Sequence, residues 1–393
     1  MKHFGTVSAM VCAHLMFGMG GGGSWCTAQE APLSFSAHCL VTVTNSLPKA
    51  REKATVVIPV TDIRKAAPDF NTAYYRVKLP AGGFEPLDIP SQIRRFPAGA
   101  GEELVFTLDI GSGESRTLDL QYNPAGKNTT AYPPATQSCS KWYFMEENTA
   151  WENELIAYRA YSGVVDFFAK AYPHLFLHAV PTTSYHHEQF WGLDPYVIGT
   201  KPGLCGVMIV QGDNRIKCFS DSLLRFTHEA FPAGPVWTGT SFSVSRGNET
   251  LLTENYSLFA GHRENFVRTV LGSGAGRGNF LIAPGMQKCD NAPIVVDESA
   301  GYMYYLGSPL DEYGFIGTAL VWSPDDAHSV FETDEGWHVM LVPDSDSTVE
   351  YSSFAVWYRA SAPGEPSKTV LVRCIENVRD ELVSPLRVRV TRP

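Results

Sequence analysis

Leu40-Val41-Thr42-Val43-Thr44 is the stretch that decides the fold. Four of its five residues branch at Cβ, which stiffens χ1 and favours a pleated strand over a helix. A charged bend, Arg51-Glu52-Lys53, leads to a second such run at 54–60. Residues 74–79 and 104–110 repeat the pattern, and 116–122 does so after the turn Gly111-Ser112-Gly113. Short alternating runs punctuated by turn residues predict an antiparallel, sandwich-like β domain over 29–125. The Asn-, Pro- and Gly-rich stretch that follows is a loop by composition, and the linker is placed at 126–140.

Beyond it, strands are predicted at 142–144, 155–161, 164–168, 207–210, 236–244, 250–259, 302–306, 316–322, 338–343, 350–358 and 369–373. Only 220–230 and 376–383 are predicted as helical. No repeat is regular enough for a propeller or solenoid. The chain is therefore expected to be all-β, with a large antiparallel second domain over 141–393. Composition agrees: 44% hydrophobic residues provide a core, and 34 glycines with 26 prolines suit many turns. The net charge of −10 argues against a nucleic-acid partner, which needs a basic surface.

The first 28 residues carry one charged side chain, Lys2, and a small, apolar stretch up to Trp25. Cys26-Thr27-Ala28 then offers small residues where a signal peptidase reads, so a signal peptide over 1–28 and a periplasmic or secreted protein are expected. Bulky Trp25 argues against a lipid anchor on Cys26. No later run approaches the ~18 apolar residues of a membrane helix. Eight cysteines occur, none in a Cys-x-x-Cys pair, which disfavours a zinc knuckle. Cys205 and Cys218 suit either a hairpin disulfide or two buried thiols.

Familiar motifs fail one by one. The run Gly272-Ser273-Gly274-Ala275-Gly276-Arg277-Gly278 lacks the spacing of a nucleotide loop. His187-Glu188-Gln189-Phe190-Trp191 ends in Trp where a zincin helix needs its second His. What remains is a dense mixture between residues 151 and 196. On a strand at 151–161, Asn153, Leu155, Ala157, Arg159 and Tyr161 share one face. An arginine there needs a partner, either a carboxylate such as Asp166 or the carboxylate of a substrate gripped by the guanidinium fork. The segment Tyr185-His186-His187-Glu188, followed by Trp191, Asp194 and Tyr196, interleaves aromatic and titratable groups. Such a mixture suits a sugar site, where rings stack on C–H faces and polar groups read hydroxyls. Asp297-Glu298 with Tyr302, Tyr304 and Tyr305 has a similar character.

These segments resemble a bacterial family known as domain of unknown function 4861, typical of carbohydrate-utilisation loci. The resemblance rests on Trp-Glu-Asn-Glu-x-Ile-Ala-Tyr-Arg (151–159), Asp166-x-Phe168-x-Lys170, Tyr185-His186, Gly192-Leu193-Asp194-x-Tyr196-x-Ile198-Gly199 and Gly234-Pro235-Val236. Val-Thr-Asn-Ser-Leu (43–47) and Ser91-Gln92 also fit. The chain departs from the pattern at 187–190 and in the glycine-poor stretch 201–206. The resemblance implies a galactose-mutarotase-like β-supersandwich and a setting in the breakdown of uronate-bearing polysaccharides of pectin or ulvan type.

Three functions follow as expectations. The first is β-elimination, by a lyase or dehydratase, at a uronic acid of an acidic oligosaccharide. His186 would be the base, Tyr185 the acid and Arg159 the carboxylate clamp, while Trp151, Glu152, Asn153, His187, Glu188, Trp191, Asp194 and Tyr196 bind sugar. The second is a glycosidase or mutarotase-like isomerase built on a carboxylate pair drawn from Glu152, Glu188, Asp194 and Glu298. The third is a non-catalytic sugar-binding protein. No cofactor is required by any of them. Supersandwich lyases sometimes use a divalent cation, but no ligand spacing in the chain demands one.

Overall fold

Strand Ala37–Thr44 alternates as its sequence predicts, with Cys39, Val41 and Val43 fully buried and Leu40, Thr42 and Thr44 partly exposed between them. A computed structural model describes residues 34–81, 84–96, 101–126, 138–143, 148–161, 163–180, 185–275, 280–289, 292–308, 314–359 and 367–393. The expected signal segment and most of the expected linker lie outside the described residues. Ala37–Thr44 pairs antiparallel with Ser115–Tyr122 on one side and with Arg387–Thr391 on the other. The C-terminal strand therefore closes the N-terminal sheet, a return that the division at residue 141 does not anticipate. Tyr75–Ala81 and Phe84–Ile89 complete this five-stranded sheet. A three-stranded sheet, Arg51–Pro59, Glu102–Ile110 and Ser91–Arg95, packs on it through Val56, Ile58, Leu104 and Phe106.

The rest of the described chain forms three further antiparallel sheets. An eight-stranded sheet runs in the order Leu224–Ala230, Trp237–Arg246, Glu249–Phe259, Glu264–Leu271, Thr348–Tyr358, Phe315–Trp322, Tyr302–Gly307, Ile294–Asp297. A five-stranded sheet is centred on Gly206–Gln211 and Leu281–Gln287. Another has the order Gly192–Leu193, Val164–Lys170, Ile156–Tyr161, Asn148–Asn153, Ser138–Tyr143. One continuous core joins all three, with Trp151, Tyr158, Phe167, Met208, Tyr256, Ile282 and Trp322 among its buried members. The all-β expectation holds, as a small sandwich followed by a large antiparallel β-supersandwich.

Two local predictions are overturned. Residues 220–230 contain the strand Leu224–Ala230, which pairs with Trp237–Arg246. Leu224, Phe226 and His228 recur every second residue and supply the buried or half-buried side of that edge strand. Residues 369–373, β-branched enough to suggest a strand, lie inside the helix Ser367–Val383. There Leu371, Ile375 and Val378 recur at helical spacing and cover Ala319, Val321 and Phe354 on the eight-stranded sheet. Cys205 and Cys218 are buried free thiols, so the disulfide alternative falls away.

Several carboxylates are buried in the supersandwich, and one of them, Glu254, has only hydroxyl partners. Glu254 is buried and accepts hydrogen bonds from the hydroxyls of Tyr351 at 2.9 Å and Tyr256 at 3.1 Å. Burial pushes its pKa up to about 7, with the two tyrosines holding it back. The native state thus keeps a proton that the unfolded chain releases near 4.5, so stability falls as pH rises across that window. Denaturant titrations from pH 4 to 8 should show this loss, about 3 kcal/mol from this group, and Glu254→Gln should lack it. Deleting residues 385–393 removes the closing strand and buried Leu386, and should lower stability by about 3 kcal/mol or more, measured by thermal melting.

Candidate functional site

The site forms where a hairpin meets a loop. Strands Ile156–Tyr161 and Val164–Lys170 pair so that Arg159 stands directly opposite Asp166. The loop from Tyr185 returns to the edge of this sheet at Gly192–Leu193, pairing with Lys170 and Ala169. Gly192 is required there: its φ is +139° and a Cβ would lie 1.8 Å from the Ala169 carbonyl oxygen. The loop is closed on itself by Asp194 N–H donating to the Tyr185 carbonyl at 2.8 Å and by Gln189 N–H donating to Gly192 at 2.7 Å. It delivers Asp194 to Arg159.

Arg159 is only 6% exposed. Its Nη2 donates to Asp166 Oδ2 at 2.7 Å and Asp194 Oδ2 at 3.2 Å. Three rings enclose the guanidinium, with centroids 4.9 Å away in Tyr161, 5.1 Å in Phe168 and 5.4 Å in Tyr185. Asp166 also accepts the Phe167 N–H at 2.7 Å, and Asp194 the Tyr196 N–H at 3.1 Å. Burial raises both carboxyl pKa values above the ordinary range, and for Asp194 its neighbour Asp166 pushes the same way, with Arg159 opposing. Burial works against the charge on Arg159, but the two carboxylates outweigh it and its pKa rises. One guanidinium facing two carboxyls is best balanced when the pair shares a single proton.

His186 lies over this cluster. Its Nδ1 is 3.0 Å from the Asp194 carbonyl oxygen and 3.8 Å from the Asp194 carboxylate. A carbonyl oxygen can only accept, so Nδ1 carries the hydrogen, and in the neutral ring Nε2 keeps its lone pair. The imidazole side chain is 43% exposed. Tyr185 packs beside it, ring centroids 4.7 Å apart. The expectation that adjacent residues face opposite ways applies to a strand. Tyr185 and His186 are on a loop, and both are half-buried at its surface.

The other predicted residues divide sharply. Trp151, Glu152, Asn153, Trp191 and Tyr196 are all buried, which removes them from sugar stacking. Trp151 Nε1 donates to Asn265 Oδ1 at 2.8 Å. Glu152 pairs with Lys170 and accepts the Phe176 and Leu177 N–H groups, each at 2.8 Å. Asn153 donates to the Phe259 and His262 carbonyls at 2.6 and 2.5 Å and accepts the Leu155 N–H at 2.8 Å. Trp191 packs edge-on against Phe168. Arg159, predicted to grip a substrate carboxylate, has its Nη2 shared between Asp166 and Asp194 instead, the ion-pair alternative that the sequence left open. Asp194 likewise serves inside the protein.

His187 is exposed, and half-buried Glu188 forms an ion pair with Arg359. Arg359 and Phe190 were not foreseen. Phe190 is 68% exposed on the same loop, edge-on to Phe176 at 6.0 Å. A large ring among polar loop residues was its only signal. Arg359 lies 171 residues from Glu188 and nothing in the sequence ties them. Among the described residues no three His, Cys, Asp or Glu side chains are grouped to hold a metal ion. Within the same residues, no helix is long and apolar enough to cross a membrane.

Removing the cation tests this construction. Arg159→Leu leaves two buried carboxyls without their counter-charge and should cost about 3–5 kcal/mol at neutral pH. The loss should shrink in acid, where both carboxyls can be neutral, as chemical denaturation at two pH values would show.

Two solved structures are similar to this chain at low level, each match covering 90% of it at 10% identity. One is a protein in glycosyl hydrolase family 38 from Enterococcus faecalis, with a TM-score of 0.48 and 47% of its own length covered. The other is an α-mannosidase from Enterococcus faecalis V583, with a TM-score of 0.44 and 46% covered. The chain thus spans about half the length of the solved structures it matches. No curated protein matches it. The family described as Domain of unknown function (DUF4861) matches residues 43–388, a span that holds both the supersandwich and the Arg159–Asp166–Asp194 cluster, and the chain belongs to that family.

Proposed function

We propose that this protein is an exported enzyme that performs β-elimination on a uronic acid of an acidic oligosaccharide, of the kind released from pectin or ulvan. The observation that carries the reading is the His186–Tyr185 pair: a half-exposed imidazole oriented through Nδ1, beside a phenol, above a buried charged support. The substrate class comes from the family resemblance.

In the reaction, His186 Nε2 takes the proton on C5, next to the uronate carboxylate. The C–H electrons become the C4–C5 double bond as the C4–O bond breaks. The Tyr185 hydroxyl gives its proton to the departing oxygen, and proton exchange with water or between the two side chains resets both groups. Arg159 acts as a positioning residue: it holds Asp194, whose carbonyl orients His186, and it underlies the Tyr185 ring. The cation that meets the substrate carboxylate is then Arg359, on the rim with Glu188, and the exposed Phe190 ring offers a face for a sugar. Of the four carboxylates of the hydrolytic alternative, Asp194 is held by Arg159, Glu152 by Lys170 and Glu188 by Arg359.

The test is ultraviolet absorbance in the band of a conjugated unsaturated uronate, with pectin- and ulvan-derived oligosaccharides as substrates. Wild type should raise it. His186→Ala and Tyr185→Phe should each slow the rise by about a hundredfold or more at nearly unchanged melting temperature. A flat wild-type trace with shortened products in mass spectrometry would replace elimination by hydrolysis.

A further inference from the structure

A cavity of about 260 Å³ lies between the three-stranded sheet of the N-terminal sandwich and the eight-stranded sheet. It is lined by none of the residues of the site above. Each wall presents a cross-strand Arg–Glu pair. On the sandwich side, Arg94 stands opposite Glu103, with Nε 2.5 Å from Oε2. On the other, Asn255, Arg268 and Glu350 form one row across three neighbouring strands, with Arg268 Nε 4.0 Å from Glu350 Oε1. Phe96, Phe259 and Phe266 supply apolar surface, and the Arg94 guanidinium lies 4.9 Å from the Phe96 centroid.

Two features point to a ligand. Asn255 is 93% buried, yet its Oδ1 has no hydrogen-bond partner, and neither does the buried Nε of Arg268. Thr55 Oγ1, on the sandwich side, is in the same condition. Buried polar atoms without partners destabilise a fold, so several of them along one cavity are unfavourable unless something fills it. A wholly apolar ligand would leave these atoms unpaired. An anionic one would find no net counter-charge, since each arginine already faces a glutamate and Glu381 adds a third carboxyl, and a simple cation would leave the Arg268 Nε–H without an acceptor. A neutral polyhydroxylated ring answers both needs, with C–H faces for the phenylalanines and hydroxyls that donate to Asn255 and accept from Arg268. The volume falls just below the ~300 Å³ at which drug-sized pockets begin, which suits a single ring.

We propose that this cavity is a second binding site, for one neutral pyranose unit, separate from the His186 site. It stands independently of the elimination chemistry, because its test reads binding alone. The full chain is titrated with glucose, galactose, xylose and rhamnose, with glucuronate as the charged comparison, by saturation-transfer NMR and calorimetry. At least one neutral sugar should bind saturably. Asn255→Ala and Arg268→Ala should each weaken it about tenfold, while His186→Ala leaves the affinity unchanged. Glu350 is largely exposed, so Glu350→Ala provides a variant whose fold is not at stake and which should also weaken binding. The proposal fails if no neutral sugar saturates, leaving a solvent-filled joint, or if the three cavity variants, folded by thermal melt, bind as wild type. It fails equally if His186→Ala abolishes binding of the neutral sugar or if Asn255→Ala weakens glucuronate more than every neutral sugar.

Discussion

A guanidinium cannot be buried alone. Arg159 lies in the middle of a sheet, and taking its charge out of water costs several kcal/mol unless carboxylates and hydrogen bonds compensate. Asp166 meets that need from the neighbouring strand, by register. Asp194 meets it from the loop that pairs with the sheet edge at Gly192–Leu193. Once Asp194 is drawn in, its backbone carbonyl is placed to accept from His186, and its N–H to close the loop on Tyr185. The placement of Tyr185 and His186 is thus a consequence of charge neutralisation one layer below them. Replacing the ion cluster with packed apolar residues could preserve the sheet, but it would remove the tie that orients the imidazole.

The strand pattern was legible because period two is written into the order of residues: 41–44, 106–110 and 116–122 each alternate, and each lies in a strand. The misread segments show where local signals lose. Thr369, Val370 and Val372 favour a strand, yet Leu371, Ile375 and Val378 need a helix to reach one sheet face together, and burying them outweighs three β-branched residues. The closing strand Arg387–Thr391 depends on pairing with residues some 340 positions earlier, which no local window sees.

The site was half legible for a related reason. Density of aromatic and charged residues marked 151–196 correctly as the region where Arg159, Asp166, Tyr185, His186 and Asp194 meet. Density does not say which side of the sheet a residue takes. Trp151 looks like a sugar platform in sequence, but it belongs to the core with Tyr158 and Tyr256. Asn153 looks like a hydroxyl reader, and its amide is spent on the carbonyls of Phe259 and His262. Conversely Phe190, unremarked in sequence, is exposed because the short Gln189–Gly192 turn turns it outward.

The joint between the two β structures follows the same logic of buried polar groups seeking partners. Gln92 Oε1 accepts the N–H groups of Val236 and Trp237, and His262 Nε2 bonds the Lys53 carbonyl at 2.7 Å. Burial opposes a charge on His262, but Glu264 at 2.6 Å outweighs it and lifts the imidazole pKa to about 9. The stability from that charge is complete below the imidazole's unfolded value near 6.5 and is lost as pH rises through about 9. Nearby, burial raises Glu381 to about 7 although His262 and Arg51 pull it down, so its proton favours the folded state at lower pH. His262 therefore tightens the joint as the pH falls from about 9 towards 6.5, and Glu381 as it falls from about 7 towards 4.5. The sandwich is held by hydrogen bonds and charge as well as by the apolar contact of Val105, Phe231 and Trp237. Such a joint can enclose a cavity with polar walls without coming apart.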